Sequence, residues 1–250
     1  MTMQIAVVHE AAADFVIATD LADRVLLESV HWLRDQDLND CRVWHHETSD
    51  GRALTWAGIK KLAIDVRIRG HGYFRPRGGG PAEPAEDDAR SARKAILYVL
   101  EEFPEIDAIV LTRDQDKYPD RRAGLDQARN EGHSIPIVVG VAIVEREAWI
   151  LCGLHSEHEA ETAKIATARA RLGFDPCLRS HELTAFGDDS AKRSAKRALH
   201  ELTAGDPDRE RRCWFDTPLP TLRDRGQDNG LAEFLDDVQL RLTPLFGHAA

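Results

Sequence analysis

Apolar positions along this chain fall first in strand-sized runs and later in helix-spaced sets. Gln4 to His9 (Gln-Ile-Ala-Val-Val-His) is a short β-branched run that reads as a buried strand ending at Glu10. From Ala11 to about Leu33 the period changes, and Phe15, Leu21, Val25, Leu26, Val30 and Leu33 are spaced for one apolar helix face. A weaker strand is expected at Cys41 to His45 or at Leu62 to Ile68, and the pattern leaves both open. Arg75 to Asp88 is dense in Gly and Pro, which predicts an exposed, mobile loop leading into a helix that ends near Phe103. The clearest strands are Ile106 to Thr112 and Ile135 to Val144, separated by the polar, helix-prone segment Asp120 to Glu131. Strands alternating with helices at this spacing predict a parallel sheet built by crossovers.

Beyond about His155 the strand signal fades. A helix is expected over Ser190 to Leu202, and Leu231, Phe234, Leu235, Val238 and Leu242 mark an amphipathic C-terminal helix. The expected architecture is therefore an α/β fold. Residues 1–152 form a Rossmann-like parallel sheet with its helices, and residues 153–250 form a mostly helical C-terminal extension packed on that core.

Composition narrows the function. The longest apolar runs fall short of the roughly 18 to 20 residues that a bilayer-spanning helix needs. Met1 to Glu10 carry neither the basic start nor the apolar stretch of a secretory signal, so a cytoplasmic protein without a membrane partner is expected. The four cysteines, Cys41, Cys152, Cys177 and Cys213, include no CxxC pair and are read as reduced thiols. A net charge of -10 argues against a protein coated in basic surface, so contact with a polyanion has to be local or metal-assisted. No Walker phosphate loop is present. Gly70-His71-Gly72 and Gly78-Gly79-Gly80 read as plain loop.

Chemistry gathers where the predicted strands end, the edge at which open parallel sheets collect functional groups. Glu10 follows the first strand, Asp114-Gln115-Asp116 the second clear one, and Glu145-Arg146-Glu147 the third. Asp114 and Asp116 stand two apart, so they project to the same side if extended geometry persists through Gln115. Carboxylates held that close repel unless a cation sits between them, and magnesium prefers oxygen ligands of this kind. Glu10 is a candidate third acid and Glu147, with Glu145 as understudy, a fourth. The rival reading of any one of them is a helix cap or a solvated charge.

These residues carry a resemblance. Glu10 after an apolar strand, Asp114-Gln115-Asp116 after another, and Glu145-Arg146-Glu147-Ala148-Trp149-Ile150-Leu151 after a third resemble a Toprim domain, the domain shared by topoisomerases, bacterial primases and overcoming-lysogenization-defect nucleases. The Glu-Ala-Trp-Ile-Leu run is similar to that of small stand-alone, RloB-like Toprim proteins of bacterial mobile-element and phage-defence loci. The match covers roughly Met1 to Cys152. Toprim proteins commonly place glycine after the first-strand glutamate, whereas Ala11 and Ala12 follow Glu10 here. The resemblance implies that Asp114 and Asp116 hold Mg²⁺ (or Mn²⁺), that Glu10 is a metal ligand or general acid/base, and that Glu147 completes a second metal position. It also implies a nuclease acting in phage defence with an ATPase partner, on DNA more than RNA, and possible self-association. Two alternatives stay open: a non-catalytic Toprim-like regulatory or interaction subunit, and a metal-dependent phosphatase acting on a small phosphate ester.

Lys192, Arg193, Lys196 and Arg197 fall at helical spacing and form the candidate nucleic-acid contact, against the reading of a solvated face paired with nearby acids. Arg67, Arg69, Arg75 and Arg77 are a weaker second stripe. A topoisomerase-like nucleophile would have to be Tyr73, Tyr98 or Tyr118. His155 and His158 read as surface histidines, and Trp149 as core packing beneath the site.

Overall fold

The computed structural model describes residues 2–65, 68, 73–75, 81–86, 88–185 and 187–247. In chain order the elements are β1 (Met3–Val8), α1 (Ala12–Ser29), a 3₁₀ turn (His31–Asp35), α2 (Leu38–Cys41), β2 (Arg42–His45), α3 (Trp56–Asp65), β3 (Tyr73–Phe74), β4 (Glu83–Pro84), α4 (Ala89–Glu102), β5 (Ala108–Asp114), α5 (Arg121–Arg129) and β6 (Ile137–Ala142). Helices then dominate the described residues: α6 (Glu147–Gly153), α7 (Glu159–Leu172), α8 (Ala195–Thr203), α9 (Pro207–Phe215), α10 (Leu219–Arg225) and α11 (Leu231–Arg241). This is an α/β protein with a Rossmann-like four-stranded parallel sheet, ordered β2-β1-β5-β6, and a mostly helical C-terminal part. No helix among the described residues is long and apolar enough to cross a membrane.

The central strands read as continuous apolar runs because both faces are covered. Ile5 to Val8, Ala108 to Leu111 and Ile137 to Val139 are all buried. β1 pairs in parallel with β2 from Met3↔Arg42 to Ala6↔His45, and with β5 from Ile5↔Ala108 to Val8↔Leu111. Of the two segments the sequence left open, Arg42–His45 is the strand, whereas Leu62 lies in α3. Glu83–Pro84, within the segment expected as a loop, pairs antiparallel with Tyr73–Phe74, which lies just before it. Arg67, Arg69, Arg77 and the two glycine clusters lie outside the described residues.

The chain divides into two compact units. The first takes the described residues up to Arg113, Tyr118–Gly140, and those from Asp236 onward; the second takes Asp114–Lys117 and Val141–Leu235.

In the first unit, α1 starts where the Asp14 carboxylate reaches back to the Ala11 N–H at 2.7 Å, satisfying a donor the helix leaves open. At the outer strand β6, the buried Asp237 carboxylate accepts the Val139 N–H at 2.8 Å, with Arg129 at 2.7 Å and Arg241 at 2.6 Å. His9, at the end of β1, is 2 % exposed and packs against Phe15 and His46. Neither of its ring nitrogens makes a side-chain hydrogen bond of ordinary geometry. Burial lowers its pKa from 6.5; nearby Asp14 opposes this and His46 adds to it. The unfolded chain therefore takes up a proton at a pH where the folded one does not, and stability is lost as pH falls below about 6.5. Half-buried His45 shifts the same way through burial and adds to the slope. Replacing His9 by phenylalanine is expected to flatten the fall of the urea midpoint between about pH 7 and pH 5, leaving the part due to His45. An unchanged slope would remove His9 from this account.

In the second unit, each helix start carries its own signal. The His158 Nδ1 accepts the Glu161 N–H ahead of α7, Ser194 caps α8 by accepting from the Arg197 N–H, and Asp206 caps α9 with Pro207 at its first position. The helix expected to begin near Ser190 thus begins at Ala195. Lys192 and Arg193 precede it, so the four basic residues do not share one helix face. α6 and α9 meet backbone to backbone: a Cβ on Gly153 would sit 2.0 Å from the Cys213 carbonyl oxygen, which only glycine permits. All four cysteines are buried, free thiols.

Candidate functional site

The acids of the sequence motifs fall in both units. Glu10 belongs to the first, where its carboxylate meets Arg113 at 3.2 Å and Arg121 at 3.8 Å. Asp88 shares both guanidiniums, at 2.8 and 2.7 Å, so two arginines serve two acids. Tyr118, in the same unit, lies beneath the Arg121 guanidinium at 4.8 Å, a packing contact rather than a poised nucleophile.

Asp114, Asp116, Glu145 and Glu147 all belong to the second unit. Beyond β5 the backbone continues beside the end of β6, with the Gln115 N–H donating to Ala142 and the Asp116 N–H to Val144. Extended geometry does not persist through this step. Asp116 has φ of 50°, a left-handed conformation that an aspartate tolerates better than most residues, so strand alternation does not align it with Asp114. Asp114 is instead fixed by the Arg146 backbone N–H, which donates to its Oδ1 at 2.8 Å. Arg146 thus ties the Asp-Gln-Asp segment to the Glu-Arg-Glu segment.

Glu145 and Glu147 are nearly fully buried, at 3 % and 6 % exposure. One oxygen of each meets a cation: Lys196 Nζ lies 3.2 Å from Glu145 Oε1, and an Arg146 guanidinium nitrogen lies 2.9 Å from Glu147 Oε1. The other oxygen of each, Oε2, is buried and accepts no hydrogen bond. Burial pushes the Glu145 carboxyl above its usual range against the pull of Lys196, and the negative charges of Glu147 and Asp116 push it further. Burial opposes the charge on Lys196, but Glu145 outweighs it and the ammonium is held more firmly than usual. Glu147 and Asp116 are thus near enough to act on the Glu145 charge. Among the described residues, however, no three His, Cys, Asp or Glu side chains form a ready cage for a metal ion.

Lys196, Arg197, Arg146 and Glu147 also line an open cavity of about 480 Å³, together with Asp189 and His200. Of these, Arg197 also pairs with Glu201 at 2.8 Å; of the other basic candidates, Arg193 lies over the Phe174 ring and Lys192 is exposed. His155 and His158 are exposed, as expected. Trp149 lies on α6, stacked on Phe234, with its indole N–H donating to the Asn229 carbonyl at 2.9 Å.

Asn229 was not legible as part of this arrangement. Fully buried, it donates to the Ala148 carbonyl and the Ser180 hydroxyl, both at 2.9 Å, and its side-chain oxygen accepts the Leu231 N–H at 3.0 Å. Its carbonyl also accepts the Ile143 N–H, two residues before Glu145. In sequence it is one polar residue in an Asp-Asn-Gly turn. No family model matches the chain, and neither the curated proteins nor the solved structures provide a match.

Proposed function

We propose that the chain is a Mg²⁺-dependent phosphodiester hydrolase of Toprim type, a nuclease. The observation that carries the reading is the pair of buried carboxylate oxygens, Glu145 Oε2 and Glu147 Oε2, that have no hydrogen-bond donor. A buried, unsatisfied carboxylate oxygen is costly, and a hard cation is the partner such oxygens fit. Magnesium is commonly held by one or two carboxylates, with water and substrate phosphate completing its shell, so a closed protein cage is not required. Glu145 and Glu147 would hold it, with Asp116 adding negative charge and Asp114 holding the Arg146 segment in place. When bound, the ion would supply charge neutralisation at a phosphodiester. The resemblance extends the proposal to DNA rather than RNA and to an ATPase partner in phage defence.

One observation favours a non-catalytic interaction subunit instead. Arg146 and Lys196 already neutralise one oxygen of each buried glutamate, which suffices for an acidic pair kept only for structure.

Incubating the protein with plasmid, single-stranded DNA and tRNA in Mg²⁺ or Mn²⁺ separates these readings. Cleavage is expected, reduced about 10²- to 10³-fold by Asp116→Ala and by Glu147→Gln in correctly folded protein. Glu10→Gln tests the role that the resemblance implies for that residue. Hydrolysis confined to small phosphate esters would make the protein a phosphatase. Inertness toward all substrates, with and without an ATPase, would leave the interaction subunit.

A further inference from the structure

Lys196 is set apart from the other basic residues of its segment by what it touches. Its side chain is 46 % exposed and stands on the wall of the 480 Å³ cavity, while its ammonium reaches a carboxylate that is 4 % exposed. Residues 51 positions apart in sequence meet there. Glu145 then offers one oxygen to Lys196 and leaves the other bare. Arg146 and Arg197, paired with Glu147 and Glu201, line the same cavity beside Glu147, Asp189 and Glu210, so Lys196 is the cation there whose release would add positive charge for an entering phosphate group.

We propose that Lys196 is a resident counter-charge that competes with a divalent cation for Glu145 and, once displaced, turns to bind a phosphate group in the adjoining cavity. The inference rests on the proposed place of the cation at Glu145 and Glu147. An ammonium and a hard divalent ion cannot both hold the same carboxylate closely without repelling each other. Binding of the ion therefore weakens the Lys196–Glu145 pair, and loss of the lysine strengthens ion binding. A lysine on a flexible, half-exposed stem can swing to a new acceptor at little cost. Released into the cavity, its charge is available to a phosphate, so cation and phosphate bind with positive coupling. Linkage requires that coupling to be reciprocal.

The competition predicts a sign that other roles for the lysine do not. If Lys196 only positioned Glu145, its removal would weaken cation binding or leave it unchanged. If it only contacted an anion, cation affinity without phosphate would not change. A competitor, when removed, tightens it.

The test uses the full chain and measures Mn²⁺ binding by titration calorimetry, with a 5′-phosphorylated mononucleotide as the phosphate probe. Lys196→Gln is expected to bind Mn²⁺ about two- to fivefold more tightly than the parent, the worth of one partly exposed ion pair. It should bind the nucleotide in Mg²⁺ about tenfold more weakly. Lys196→Arg keeps the charge and should keep the parent's weaker Mn²⁺ affinity, which separates charge from any change in folding. In the parent, Mg²⁺ should tighten nucleotide binding. Equal or weaker Mn²⁺ binding by folded Lys196→Gln overturns the inference, and so does absence of Mn²⁺ binding by both proteins at millimolar concentration. Tighter Mn²⁺ binding without any nuclease activity upholds the counter-charge and sinks the nuclease reading alone.

Discussion

Arg209→Met is expected to lower the stability of the second unit by about 3 to 5 kcal/mol, read as a shift in the urea midpoint at neutral pH. Arg209 is 3 % exposed, and its guanidinium is spent on several acceptors at once. Its Nε donates to Glu161 Oε1 at 2.7 Å, while a terminal nitrogen reaches Glu161 Oε2 at 3.1 Å and the His155 carbonyl at 2.6 Å. Glu157 adds a contact at 3.4 Å. This fork fastens α9 to the start of α7. Removing the arginine leaves the Glu161 carboxylate buried without its counter-charge, and that uncompensated charge accounts for most of the cost. The arginine's hydrogen bonds hold the Glu161 pKa down, to about 2 from 4.5, despite burial. The sign follows from linkage: stability from this pair is fully present above about pH 4.5 and is lost as pH falls toward 2. Arg209→Met should lose that acid-dependent part. Adding Glu161→Leu to Arg209→Met should recover much of the loss, because an apolar pair asks for no compensation. A single-variant loss below about 1 kcal/mol would show that the pair stabilises no more than a surface contact.

Asn229→Ala is expected to cost a similar amount, about 3 to 5 kcal/mol, for a different reason. The change removes no charge. It strands the Leu231 N–H and the Ser180 hydroxyl in a region where water does not reach, each at about 1 to 3 kcal/mol before relaxation, and takes from the Ala148 carbonyl its bond outside the helix. Gly230, the next residue, cannot move aside to help. Its φ is +84°, and a Cβ there would lie 2.0 Å from the Val141 carbonyl oxygen. Because the Asn229 carbonyl holds the Trp149 indole, near-ultraviolet circular dichroism should change along with thermal stability. An unaltered tryptophan signal with a loss under 1 kcal/mol would count against Asn229 as an organiser of this region.

The parts of the fold legible in the sequence are those whose burial is uniform. β1, β5 and β6 are buried on both faces and appear as unbroken apolar runs, while α1, α4 and α11 announce themselves by period. β2 was ambiguous because it is a short edge strand, only partly buried, and Leu62 and Ala63 of α3 present an equally apolar pattern. α8 starts later than its sequence suggests, because Asp188, Asp189 and Ser190 are residue types that commonly cap a helix, whereas Ser194 supplies the cap. In the site, the acids of the motifs were recognisable by type and spacing. The turn at Asp116 was not, because alternation presumes extended backbone and a single left-handed residue cancels it. Arg146 stood in full view inside its motif, but its hydrogen bond to Asp114 is a backbone one and leaves no mark in residue identity. The pairing of Lys196 with Glu145 spans a separation for which one sequence has no local rule.

At β6 the sheet is finished by a side chain in place of another strand. The Asp237 carboxylate stands in for a neighbour's carbonyl at Val139 and is itself neutralised by Arg129 and Arg241. A second molecule seeking to zip along this flank would first have to evict an anion clamped between guanidinium groups, at a point where a bare backbone donor would have invited it. That small plug gives the molecule a local barrier to growing edge to edge into larger aggregates.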